Sequence, residues 1–302
     1  MAIHCHNGRK WCARLILLAR PKLPMSRIQF IEIHEQPWFP SSIRDEITDA
    51  LQFGFRLLKV YAPIIPRLQG ALEATTCRST ARPTIVDLCS GGGGPWFHLS
   101  RKLQSPASAG ETQGLQIWLT DKYPNPLAHK NVVVASENHV GSYPRPVDAM
   151  NVPRELKGFR TMFTAFHHFP PEQARDILQD AVDAGEGIGI FEITRRASAA
   201  VGLVVGWVLF LFFATPWIRP FRWSRLLWTY VIPIIPVALI FDGVVSCLRT
   251  YRPSELRDLV NKLTNGGYCW EIGEHAGRNS EPRITYLIGY PQVPRPPETP
   301  LL

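Results

Sequence analysis

The stretch Pro83-Thr84-Ile85-Val86-Asp87-Leu88-Cys89-Ser90-Gly91-Gly92-Gly93-Gly94-Pro95-Trp96 constrains this chain more than any other. Thr84 to Leu88 is a short apolar, β-branched run of the kind a buried parallel strand needs. Four consecutive glycines take positive φ without steric cost and let a ligand lie against bare backbone. Pro95 suits the first turn of a helix, whose free N–H groups point back toward the glycines. Strand, glycine turn and helix in this order make a layout that holds nucleotide-like ligands, although a purely structural turn has the same sequence.

Two ligand classes use the layout, and spacing separates them. A dinucleotide fingerprint needs G-x-G-x-x-G, and here Gly91-x-Gly93 is followed by Trp96 where the third glycine belongs. The spacing Asp87-x-Cys89-x-Gly91-x-Gly93 instead resembles motif I of the class I S-adenosylmethionine (SAM) dependent methyltransferases, D/E-x-G-x-G-x-G. Cys89 replaces the first glycine with another small residue.

The downstream order agrees. Leu115 to Asp121 makes a second strand ending in an acid, which either accepts hydrogen bonds from two ribose hydroxyls or caps the turn Asp121-Lys122-Tyr123-Pro124-Asn125-Pro126. Val147-Asp148-Ala149-Met150 follows a short strand around Val140 to Tyr143. A fourth strand from Arg160 runs into Ala165-Phe166-His167-His168-Phe169. Pro171 opens a helix that Gly185 closes, and Gly187 to Glu192 is a fifth strand. A helix over Pro253 to Leu263 precedes a closing antiparallel pair, Tyr268 to Glu274 and Arg283 to Tyr290. Alternating strands and helices argue for a doubly wound parallel sheet with ligands at the carboxyl ends of its strands.

The resemblance, carried by residues 83–192, implies an α/β fold, a doubly wound, seven-stranded Rossmann-like methyltransferase sheet, to which the composition after strand five adds an all-helical apolar insertion. It implies S-adenosyl-L-methionine as cofactor, contacted by Asp87, Cys89, Ser90, Gly91, Gly93, Asp121, Lys122, Asp148, Ala149 and Ala165, with Asp148 toward the adenine amino group. For a hydroxyl acceptor, His167 or His168 at the end of strand four is the best-placed general base, and one of the tandem pair is expected to point away. Glu192 and Arg195 either contact substrate or pair on the surface. The loop after strand four has no Asp/Asn-Pro-Pro-Tyr sequence and the chain no Pro-Cys pair, which disfavours nucleic-acid bases and leaves a small or lipid-like acceptor. An NAD-linked oxidoreductase is the alternative, opposed by the missing third glycine and by the lack of a Tyr-x-x-x-Lys set. A non-catalytic membrane adaptor of the same fold is a further one.

Composition bears on compartment and partners. The six cysteines, at 5, 12, 77, 89, 247 and 269, are scattered with no C-x-x-C, which reads as reduced thiols, and no metal is expected. The net charge of +8 suits an anionic surface. From Ile193 to Phe241 there is no acid, and Ala197 to Ile218 carries no charge. As a helix that charge-free run reaches roughly 33 Å, against a hydrocarbon layer of ~30 Å. Gly202 and Gly206 permit close helix contact. Leu226 to Phe241 is a second apolar run, broken by Pro233 and Pro236.

A full double span would put Arg219, Arg222 and Arg225 on the far side, against the positive-inside tendency. We therefore expect an interfacial or re-entrant hairpin over 197–241 on the cytoplasmic face of a membrane, with those arginines at headgroups. An apolar lid or a homodimer face is the alternative. The chain divides into a tail (1–27, with Met25 an alternative start), a helical cover (28–82), the SAM-binding core (83–192), the insertion (193–241) and a C-terminal completion with a Pro-rich tail (242–302). Within the cover, Ile28 to Ile33 reads as strand-like and Ile43, Ile47, Leu51, Phe55 and Leu58 as a helix capped near Ser41. Trp38 and Phe39 before it face either substrate or core.

Overall fold

The structure, a computed structural model, describes residues 26–76, 83–104, 114–136, 139–264, 267–276 and 283–292. The expected N-terminal tail through Met25, Cys77, and the Pro-rich tail beyond 292 lie outside them.

Seven strands form one sheet in the order β3-β2-β1-β4-β5-β7-β6. They are β1 (Thr84–Asp87), β2 (Gln116–Leu119), β3 (Val140–Ser142), β4 (Phe159–Phe163), β5 (Ile188–Glu192), β6 (Tyr268–His275) and β7 (Ile284–Pro291). The first five are parallel, and β7 runs antiparallel between β5 and β6. This is the doubly wound, seven-stranded sheet that the class I methyltransferase resemblance implies. Strand order reverses between β1 and β4, where Asp87 pairs with Leu119 on one side and Thr161 on the other. In open α/β sheets the ligand crevice opens at such a point.

Both faces of the sheet are covered, and successive residues along a strand serve opposite layers. Ile85 and Phe159 join a core with Leu68 and Leu72 of helix α2 (Ile65–Thr76) and Trp96 and Leu99 of α3 (Trp96–Leu103). Val86 and Met162 join another with Ile177 and Leu178 of α5 (Pro171–Ala184) and Leu256 and Leu259 of α9 (Pro253–Val260).

A third core stands off the sheet. Helix α1 (Ser41–Leu58) packs Ile43, Ile47 and Ala50 against Val208 and Leu211 of α6 (Ser198–Ala214) and Ala238 and Leu239 of α8 (Ile234–Arg249). Phe39 belongs to it, whereas Trp38 is exposed. The insertion is thus a helical hairpin of α6 and α8, joined through α7 (Trp223–Leu226) and a 72° bend before Ile234. Helix α8 continues to Arg249, so the expected boundary at residue 241 falls inside a helix.

Two readings are corrected and one element is added. Ile28 to Ile33 is irregular rather than a strand; its Ile28 N–H reaches Leu248 O at 3.2 Å and its Ile33 N–H reaches Asp242 Oδ1 at 2.6 Å. The chain between the second and third strands forms α4 (Pro126–Ala135), started by the Asn125 side chain accepting from the Ala128 N–H at 3.1 Å. The insertion's arginines are not a free headgroup-facing set. Arg225 is 1% exposed and ion-paired with Asp49, Arg222 lies 3.3 Å from the same carboxylate, and of the three Arg219 alone is exposed.

Candidate active site

The glycine turn leaves β1 at the switch point, and its residues divide by role. Gly91 has φ +51° and open space where a side chain would lie, so its backbone faces outward. Gly93, at φ +69°, is pressed against Leu119 and Val132, and a Cβ on Gly94 would sit 2.9 Å from Phe55 of α1. The later glycines therefore admit packing, and Gly91 is the one left for a ligand. Cys89 holds φ 54° and Thr164, just after β4, φ 46°. Non-glycine residues in the left-handed region carry strain of order 1 kcal/mol or more, and these two flank the crevice.

Asp87 supports the turn from below. It is 2% exposed and accepts hydroxyl hydrogen bonds from Ser90 and Thr161, both at 2.7 Å. Burial outweighs those bonds and pushes its pKa up to about 6. Asp121 lies beside the turn, half-buried, accepting the Gly91 N–H and the Tyr123 N–H at 2.9 Å each. Both its oxygens keep lone pairs for a ligand hydroxyl. Lys122 lies 3.3 Å from Asp148, while the Val147 N–H reaches Asp121 O at 2.9 Å. Ala149 and Ala165 are buried in the core layer that Cys89 also touches. The residues expected around a cofactor therefore gather on one edge of the sheet. Burial and the acids Asp121, Asp87 and Asp148 hold the Cys89 thiol protonated.

One member of this edge escaped the sequence reading. His129, on α4 and fully buried, places Nε2 2.9 Å from Gly91 O and Nδ1 2.7 Å from Ser142 Oγ. Burial lowers its pKa, so a neutral ring donates to the Gly91 carbonyl and accepts from the serine.

Beyond β4 and β5 lies a second constellation. His167 is 1% exposed, with Nδ1 2.8 Å from Glu192 Oε2 and Nε2 3.6 Å from Glu32 Oε1. Burial opposes its charging, but Glu192 and Glu32 outweigh burial and raise its pKa to about 9. Glu32 is buried, which disfavours its charge, yet His168, His167 and His34 hold its carboxyl well below the usual range. His168 contacts Glu35, and its side chain is 23% exposed. Burial works against Glu35 as well, but the hydrogen bond from His168 brings its pKa down to about 2. Arg249 on α8 joins Glu32 at 3.2 Å and Glu35 at 3.1 Å, and Ser246 donates to Glu32 at 2.8 Å.

The geometry separates the tandem histidines. His167 is enclosed and protonated at neutral pH, and His168 is the more open. Glu192 serves His167 rather than pairing with Arg195. Glu32, His34, Glu35 and Arg249 were not singled out from sequence, although Glu32-Ile33-His34-Glu35 concentrates titratable groups in a stretch read as strand.

No protein-family model matches the chain, and no curated protein matches it. Among solved structures it is similar to the pyocyanin biosynthetic protein PhzM, at 16% identity over 76% of this chain and 54% of that one, with a TM-score of 0.42. It is similar to the plantazolicin methyltransferase BamL, crystallised with a triazolic desmethylPZN analogue and SAH, at 10% identity over 83% of this chain and 98% of that one, with a TM-score of 0.46. A third is PigF with SAH, at 16% identity over 85% of this chain and 63% of that one, with a TM-score of 0.43. The chain spans little more than half the length of PhzM.

Proposed function

We propose that this chain is a SAM-dependent methyltransferase acting on a small or lipophilic acceptor at the cytoplasmic face of a membrane. The observation that carries the cofactor reading is the charge around Gly91. Asp87, Asp121 and Asp148 surround an open glycine turn with Lys122 as their near cation. Such a set repels a dinucleotide pyrophosphate and suits a ligand with ribose hydroxyls and cationic centres. Asp121 would hold the ribose, Asp148 and Ala149 the adenine, and Asp87, Cys89, Ser90, Gly91, Gly93 and Ala165 the remainder, with Lys122 held by Asp148.

SAM would supply a methyl group activated on a sulfonium. The protein's own part is to align the acceptor, exclude water and take up a proton. His168, in contact with Glu35, is our candidate to receive a hydroxyl proton, with His167 buried behind it against Glu192. Titration calorimetry with SAM and with NAD+ decides the cofactor. Binding of NAD+ but not SAM overturns the reading, and SAM binding without conversion to S-adenosylhomocysteine by any acceptor extract leaves the adaptor.

The membrane reading is supported by exposed Leu203, Leu209, Phe213, Trp217, Trp223 and Val231 on the hairpin. The segment Ser198–Trp217 is long and apolar enough to cross a bilayer. The far end of the hairpin, however, is tied to α1 through Asp49 and the Ser224–Glu46 contact, which supports a helix pair lying in the interface over a spanning one. Helix α8 runs from that apolar face to Arg249 at the second constellation, so an acceptor drawn from lipid would reach the histidines along it.

A further inference from the structure

We infer that Glu32, His167 and His168 bind one divalent transition-metal ion, with zinc the best match to the donor set. One ligand atom from each of the three lies within 4.8 Å of the other two. Zinc bonds to nitrogen and oxygen of about 2.0–2.2 Å put tetrahedral ligand atoms roughly 3.4 Å apart, so side-chain rotations close the set.

The second observation is an orphaned nitrogen. His167 Nε2 is buried and lacks a hydrogen-bond partner among the described residues, and its distance of 3.6 Å to Glu32 Oε1 is too long for such a bond. A buried polar atom left in that state is costly unless something else engages it. The opposite nitrogen is already fixed, because Glu192 faces Nδ1 at 2.8 Å and accepts the His167 backbone N–H at 3.1 Å. A carboxylate behind an imidazole is what orients a metal-ligating histidine.

Charge points the same way. Glu32, Glu35, Glu192 and Asp242 crowd into this region, and the Arg249 guanidinium contacts Glu32 and Glu35, while Glu192 and Asp242 face imidazoles, backbone N–H groups and, at Glu192, the Thr194 hydroxyl. Buried carboxylates require a compensating cation, either the protons on the imidazoles or a metal ion that displaces the His167 Nε2 proton and takes their place. Two imidazoles and a carboxylate with an open position form a Lewis-acid donor set, and Glu35 or water completes it. Ion binding stands on this geometry alone. Its use, to lower the pKa of a bound acceptor hydroxyl so that the proton passes to solvent as the methyl group is transferred, rests on the methyltransferase reading.

The test titrates tag-free, chelator-stripped, full-length protein with ZnCl2 by calorimetry and with CoCl2 by visible absorption. We expect a submicromolar ion whose cobalt spectrum lacks thiolate charge transfer, which distinguishes it from ions held by cysteines such as Cys5 and Cys12. His168→Ala should abolish that site. Glu192→Gln, which preserves shape, should weaken it about 10- to 100-fold. Asp121→Ala should leave zinc affinity unchanged, so the metal and cofactor readings fail separately. If the protein takes up no ion, or if His168→Ala and Glu192→Gln bind zinc as the parent does, the proposal is overturned.

Discussion

Asp87 couples the turn to pH. Its carboxyl ionises near 3.8 in an unstructured chain and near 6 when folded, because burial penalises the charge. A raised carboxylate pKa means that the folded state binds the proton more tightly. The group's contribution is therefore most favourable below about pH 4 and declines as pH rises to about 6, a change of about 3 kcal/mol. Asp87→Asn should remove that slope, so melting curves at pH 4.5 and 7 should show the variant gaining on the parent at the higher pH; a constant difference contradicts the assignment. Asp121 belongs to the same edge but is half exposed. Asp121→Ala should weaken SAM by about 1.5–3 kcal/mol, roughly 10- to 150-fold in Kd by calorimetry, and unchanged affinity in a folded variant removes its proposed role. Asp87 and Asp121 were legible because strand ends and glycine spacing mark them in one local stretch. His129 and Glu32 were not, since each acquires its role from a partner far away in sequence.

At the scale of elements, α1 joins the two halves of the molecule. Toward the sheet its Gln52 side chain meets Gly92 O, and toward the insertion Asp49 neutralises Arg225. Burial lowers the Arg225 pKa, with Asp49 opposing that shift, and the guanidinium also donates to Ile218 O at 3.1 Å and Pro220 O at 3.0 Å. Asp49→Ala leaves a buried cation unpaired, a loss of about 3–5 kcal/mol, read as a lower denaturation midpoint. Asp49→Asn, which keeps one acceptor, should lose less, and equal stability of parent and Ala variant contradicts the pairing. Periodicity revealed α1 as a helix, and composition marked the insertion as apolar. Neither revealed that the two pack together, because a helix pattern shows which face is apolar and not what covers it. Helix α4 was missed for a related reason: two prolines beside Asn125 read as a turn, when Asn125 and Pro126 start a helix.

For the whole molecule, the exposed apolar face of the hairpin is the feature that the sheet does not need. Its exposed Leu203, Leu209, Phe213, Trp217, Trp223 and Val231 fall on one helical hairpin, and exposed apolar surface gathered in this way marks lipid or protein contact. Burying even six such side chains, at about 1.5–3 kcal/mol each, outweighs surface electrostatics, so the protein should float with anionic vesicles and resist salt but not detergent. Phe213→Glu with Trp217→Glu should release it. Arg219→Glu should have a smaller effect than charge reversal of a free arginine cluster, since Arg222 and Arg225 are already engaged by Asp49. A soluble protein that ignores vesicles and sediments as a dimer assigns the face to a second copy.

The sequence by itself determined the sheet, the acid-lined glycine turn at its carboxyl edge and the apolar character of the segment after β5. Strand runs, the glycine turn and the acids after β1 and β2 are local patterns in which a residue's role follows from its immediate neighbours. Tertiary structure alone decided what surrounds the histidines. Glu32 comes from an N-terminal segment, His167 and His168 from the end of β4, Glu192 from β5 and Arg249 from the far end of the insertion's last helix. No spacing rule connects positions so far apart, and only chain packing brings their ring nitrogens and carboxylates within bonding reach.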